Sequence, residues 1–353
     1  MNVRYKLLPQ LKCYDLLGSD WVPYLIFQQT KNFRSEILNT DSFGLRFNNK
    51  VDQNSKKTIF DENNSKKKCV VVGASSAFGV GSTTDSNTIP SFLSAGSDYH
   101  YYNFGARAYN GFQELILYQS LINKIDELEK VIIFSGINDI FHFSNENFKR
   151  NYLGDFFFSD QFYEALNNGN LSFNRKVAKF LFGSFVSKEI NWNKISKKNL
   201  IKYLFNSEFR RNFLNNSSHL SKEITSEDII SRNLKMWSTI AKGSGIKIYY
   251  FFQPFLDWCK DFSKDEEELV NFTEKNIDNN VLFNVMNKIK KVDLYSYYNE
   301  ILSKSCKSLE IPYFDCNEFL KMNSKKTDWL FADRTHLTDS GNFLISEFIK
   351  SKI

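Results

Sequence analysis

The chain has 353 residues, 42% hydrophobic and 24% charged, which is ordinary globular usage and excludes a disordered or fibrous polymer. No run approaches the length of about 18 apolar residues that a membrane-spanning helix needs. The net charge of +6 is not spread evenly along the chain.

Met1 to Asp20 carries Arg4, Lys6, Lys12, Asp15 and Asp20 with no small-residue cleavage site, so it does not read as a signal peptide and a cytoplasmic location is expected. A chain of this length suits one α/β core with an elaboration. The first strand is expected at Lys68 to Gly73, where a charged step enters a short β-branched run that ends on glycine. Similar runs follow at His100–Phe104, Val131–Ser135 and Ile246–Phe252, with a fifth at Ile311–Phe314. Between the second and third, Phe112, Leu115, Ile116, Gln119, Leu121, Ile122, Ile125 and Leu128 recur at helical spacing. Strand, helix, strand implies a crossover and a parallel sheet, and ligands then sit beyond the carboxyl ends of the strands.

The rhythm breaks once, where 110 residues separate the third strand from the fourth. Ile229, Ile230, Leu234, Trp237 and Ile240 mark one helix there, capped by Ser226 and closed by Gly243 and Gly245. The rest, about 141–225, is an insertion holding 13 Lys and Arg against 7 Asp and Glu, which accounts for the whole net charge. A basic cap suits an acidic substrate or an anionic membrane surface, and a solvated helical face is the alternative. A last helix is expected at Asn342–Ile353, and 1–60 forms a leader packed on the core.

Five scattered cysteines, Cys13, Cys69, Cys259, Cys306 and Cys316, read as free buried thiols. With four histidines and no paired ligand spacing, no metal or other cofactor is expected.

The strand ends carry the candidate chemistry. After the first strand stands Gly73-Ala74-Ser75-Ser76-Ala77-Phe78-Gly79-Val80-Gly81. It lacks the Lys of a phosphate-binding loop, the third glycine of a dinucleotide fingerprint (Thr84 stands there), and the Gly of a nucleophile elbow, whose place Ala77 takes. The second strand ends in Asn103-Phe104-Gly105-Ala106 and the third in Ser135-Gly136-Ile137-Asn138-Asp139. Near the carboxyl terminus comes Asp333-Arg334-Thr335-His336.

Four such blocks in this order resemble the SGNH hydrolase superfamily, also called GDSL esterases and lipases. The resemblance covers about 68–139 and 246–353. It implies a three-layer α/β/α fold of flavodoxin-like type, with Ser75 as nucleophile and Asp333 and His336 completing a triad. It also implies an oxyanion hole formed by the Ser75 and Gly105 N–H groups and the Asn138 amide. Serine needs an imidazole to take its proton, the imidazolium needs a carboxylate, and the tetrahedral oxygen needs preorganised donors. Ala74 stands where many members carry Asp, which sets the chain apart from the strict GDSL pattern. The leader stretch Phe33-Arg34-Ser35 with Asn39 to Arg46 resembles segments of SGNH proteins linked to bacterial surface polysaccharides.

Arg107 and Arg334 are candidates for binding a substrate carboxylate, and Gln253 with Pro254 for lining the pocket. His100, His142 and His219 read as structural. The expected reaction is cleavage of an acyl ester, acetyl on a saccharide by analogy, through an acyl-Ser75 intermediate. A saccharide O-acetyltransferase, a lipid or thioester hydrolase and a non-enzymatic binding protein are the rivals. No nucleic-acid partner is expected, and peripheral membrane contact stays open.

Overall fold

The computed structural model describes residues 3–62, 65–144, 156–157, 224–276 and 280–353. The chain divides into two compact units, Met1–Lys149 with Ser226–Ile353, and Arg150–Thr225. The expected insertion, His219 included, falls almost wholly outside the described residues, and the sheet belongs to the first unit.

Five parallel strands form this sheet: β3 (Lys67–Gly73), β4 (Tyr99–Gly105), β5 (Leu128–Ser135), β6 (Lys247–Phe252) and β7 (Tyr313–Asp315), in the order β4-β3-β5-β6-β7. Counted along the sheet, this is the second-first-third-fourth-fifth order of flavodoxin-like folds. Its switch point lies between β3 and β5. Val70, Val71 and Val72 on β3 are wholly buried, as a strand covered on both faces requires.

One face packs Cys69, Val71, Ile132, Phe134 and Phe251 against α4 (Ile89–Ser94), α12 (Cys316–Asn323) and α13 (Asp339–Lys350), through Ile89, Leu93, Leu320, Ile345 and Ile349. On the other face lie α5 (Gly111–Leu121), α7 (Ser226–Ser244) and α11 (Val292–Ser308), with Trp237 against Tyr118 and Leu302 near Ile133. The first unit is therefore a three-layer α/β/α sandwich.

The helix expected to run to Leu128 ends earlier, because Leu128 already opens β5. The last helix starts at Asp339 on a Thr338 cap, three residues before its first expected position, and the fifth strand is shifted to Tyr313–Asp315. Between β6 and β7 stand α8 (Leu256–Cys259), α9 (Lys264–Lys275), α10 (Asn280–Ile289) and α11, a stretch in which the sequence pattern marks no elements.

The leader forms α1 (Val3–Leu7), α2 (Leu11–Leu16) and an antiparallel hairpin, β1 (Ser19–Val22) with β2 (Ile26–Gln29). Leu8, Leu11, Tyr14, Leu17 and Leu38 bury their apolar surface against Phe78 and Val80, just beyond β3.

Candidate active site

The chain leaves β3 at Gly73 and at once makes a single helical turn, α3 (Ser75–Phe78). The turn ends on Gly79 at φ +88°, where a Cβ would meet Thr88 Cγ2 at 2.6 Å. Ser75 is half-buried at its start, and the Ser75 N–H forms no hydrogen bond among the described residues. Ser76 is buried, its hydroxyl accepting from Gln253 Nε2 at 2.8 Å and donating to the Thr335 carbonyl at 2.8 Å.

Asp333 and His336 sit in a loop that closes on itself, Ala332 N donating to His336 O at 2.8 Å, ahead of the Thr338 cap of α13. His336 Nε2 lies 2.8 Å from Ser75 Oγ, and Nδ1 lies 2.6 Å from Asp333 Oδ2. The other carboxylate oxygen, Oδ1, accepts from the N–H groups of Thr335 at 2.8 Å and His336 at 2.9 Å. Burial pushes the Asp333 carboxyl up, but the neighbouring His336 and these hydrogen bonds outweigh it and hold it well below the usual carboxylate range. Ser75 and His336 are 261 positions apart in the chain, and the fold brings them with Asp333 into one hydrogen-bonded line.

Asn138 is the second residue of α6 (Ile137–Ser144), which leaves β5 through Gly136. Its Nδ2 donates to the Tyr109 carbonyl at 2.8 Å, which uses one of the two amide hydrogens and orients the other. The switch point therefore carries the Ser75 turn on one side and Asn138 on the other, where the strand order opens a crevice.

Gly105 does not stand as expected. Its N–H donates to Asn103 Oδ1 at 2.9 Å, so it is spent inside the fold. Glycine is needed there for close packing, since a Cβ would meet Phe78 N at 2.0 Å. Three residues on, Ala108 holds φ +61°, a left-handed conformation unusual for alanine, and its N–H has no partner among the described residues. Sequence reasoning missed Ala108, because nothing in an Ala codes for that backbone; the signal is the strain itself.

Three further expectations are corrected by their partners. Arg107 donates to the carbonyls of Tyr14 at 2.9 Å, Gly18 at 2.9 Å and Leu17, so its charge fastens the leader instead of facing a substrate. Arg334 is buried and paired with Asp257 and Glu274. Gln253 holds Ser76 and reaches the Thr335 carbonyl at 3.2 Å, which makes it a brace between the serine turn and the histidine loop. His100 and His142 are both pushed down to about 4 by burial, in keeping with structural roles.

Glu114 on α5 is buried and accepts from Ser135 Oγ at 2.8 Å. Burial, and then the neighbouring Asp139, push its carboxyl well above the usual range. Asp139 accepts from Gly111 N at 3.2 Å and is pushed up to about 6 by burial. A small cavity of about 20 Å³ lies between these groups, lined also by Ser135 and Tyr250.

No family model and no curated protein matches the chain. Among solved structures it is similar to an acetyl xylan esterase (11% identity, 81% of this chain and 99% of that one, TM-score 0.40). It is also similar to a lipase/acylhydrolase from Enterococcus faecalis (13% identity, 81% and 95%, TM-score 0.42). A third is a GDSL-like lipase from Bacteroides thetaiotaomicron (14% identity, 81% and 86%, TM-score 0.38).

Proposed function

We propose that the protein is an SGNH-type serine esterase acting through an acyl-Ser75 intermediate. The observation that carries this reading is the line from Ser75 Oγ to His336 Nε2 at 2.8 Å and from His336 Nδ1 to Asp333 at 2.6 Å. In the first half-reaction His336 takes the Ser75 proton as Oγ attacks the ester carbonyl. Asp333 holds the imidazole in the tautomer that accepts at Nε2 and stabilises the cation that forms. The tetrahedral oxyanion is met by the Ser75 N–H, the Ala108 N–H and the remaining Asn138 amide hydrogen. On collapse the C–O bond to the alcohol breaks and His336 returns the proton to that oxygen. Water then enters, gives its proton to His336 and attacks the acyl-Ser75 carbonyl; the bond to Ser75 Oγ breaks, His336 returns the proton to that oxygen, and the acid leaves.

The acyl group is read as acetyl and its carrier as a saccharide, supported by the leader stretch Phe33 to Arg46 and its resemblance to SGNH proteins linked to surface polysaccharides. The test is a panel of acetylated sugars and p-nitrophenyl esters of increasing chain length, with wild type and Ser75→Ala. Acetate release in water, lost in Ser75→Ala, supports the reading. Turnover that needs an added sugar hydroxyl would make the protein an acetyltransferase, and a preference for long acyl chains would make it a lipase.

A further inference from the structure

The Asn138 amide is aimed by a carbonyl, and that carbonyl belongs to a loop with little backbone bonding of its own. Between β4 and α5, Ala106 N donates to Gly73 O at 3.0 Å, while Tyr109 N reaches Ala106 O only at 3.5 Å. The loop is held instead by side chains, and most of them run to the leader. Arg107 grips the carbonyls of Tyr14 in α2 and of Leu17 and Gly18 just after it. Gln113 Nε2 donates to Leu25 O at 2.8 Å, in the turn of the β1–β2 hairpin. Tyr109, wholly buried, donates its hydroxyl to the Phe27 carbonyl on β2 at 2.6 Å, with its ring edge-on to Phe27 at 5.5 Å. One residue therefore touches the Asn138 amide with its backbone and the leader hairpin with its phenol.

We propose that Tyr109 is a positioning residue for ester cleavage: its hydroxyl, tied to Phe27 of the leader hairpin, sets the carbonyl that aims the Asn138 amide at the oxyanion. The inference rests on the reading of Asn138 as an oxyanion donor. A donor of this kind works only where it already points at the developing charge, and an ångström of misplacement is expensive in rate. The leader hairpin then belongs to the catalytic apparatus, although none of its residues meets the reacting atoms.

The experiment is a double-mutant cycle on Tyr109→Phe and Asn138→Ala, with an acetyl ester as substrate and kcat taken per Ser75 titrated by a fluorophosphonate, so that unfolded protein is not counted. Tyr109→Phe removes one oxygen and keeps the ring. It is expected to lower kcat about tenfold with KM within about twofold, because the amide acts in the transition state. In the Asn138→Ala background the same change is expected to cost less than about twofold. A full tenfold loss in that background would show that Tyr109 acts elsewhere and overturn the inference, as would wild-type kcat in Tyr109→Phe. Wild-type kcat in Asn138→Ala alone would instead overturn the oxyanion reading on which the inference rests.

Discussion

Ser76 Oγ donates to the Thr335 carbonyl across 2.8 Å, joining two residues 259 positions apart. The residue after Ser75 is thereby bonded to the residue before His336, and Gln253 Nε2 braces both. This contact ties the Ser75 turn directly to the His336 loop. Ser76→Ala, which leaves the triad in place and loosens one strut, is expected to lower kcat by no more than about tenfold, whereas removing a triad member costs at least about a thousandfold. Steady-state kinetics on the two serine variants check the difference.

Asn138→Ala is expected to lower kcat by roughly a hundred- to a thousandfold with KM nearly unchanged, the magnitude for a lost oxyanion donor. Circular dichroism and thermal melting accompany the kinetics, since the lost bond to Tyr109 O also has a structural cost. A loss that appears in KM alone would place Asn138 in ground-state binding.

Arg46 and Asp85 form an ion pair at 2.8 Å with side chains 0% and 2% exposed, and the same guanidinium donates to Gly79 O at 2.8 Å and Ile37 O at 3.1 Å. Arg46→Ala leaves Asp85 buried without its partner and is expected to cost about 3–5 kcal/mol of stability. Urea denaturation measures it. A loss below about 1 kcal/mol would mean that the leader is not anchored through this pair.

Glu114 gives a pH signature. Its carboxyl titrates higher in the folded chain than in the unfolded one, so the folded state binds the proton more tightly. Stability from this group is fully present below the unfolded value near 4.5 and is lost as pH rises toward the folded value. Asp139, Ser135 and Tyr250 face it, and Arg232 acts on Asp139. Glu114→Gln keeps the acceptor for Ser135 and removes the titration. Its melting temperature is expected to exceed that of wild type at pH 8 and to converge with it near pH 4.5. Parallel curves would contradict the assignment.

The strands, and the residues proposed as a triad, were legible because each leaves a local mark. A β-branched run ending on glycine is a buried strand wherever it occurs, and Ser75, Asn138, Asp333 and His336 follow such strands or precede a capped helix in a fixed order. Arg107 and Arg334 misled for the opposite reason: proximity in sequence to a site says nothing about where a guanidinium finds its acceptors, and here the leader and Asp257 supplied them. Gly105 misled because glycine serves close packing as well as exposed N–H groups. Ala108 and Tyr109 left no mark at all, since a left-handed alanine and a carbonyl aimed by a phenol are decided by tertiary contacts. The helices between β6 and β7 went unmarked although α11 carries Tyr298, Ile301 and Leu302 at helical spacing.

Whether Ser75, activated by His336, forms a covalent bond to the substrate is tested most directly by intact-mass measurement after treatment with a fluorophosphonate, followed by peptide mapping of the adduct. One phosphonyl group per chain is expected on Ser75 in the wild type, with greatly slowed labelling in His336→Ala and none in Ser75→Ala. An adduct on Ser76, or labelling that persists in Ser75→Ala, would contradict it.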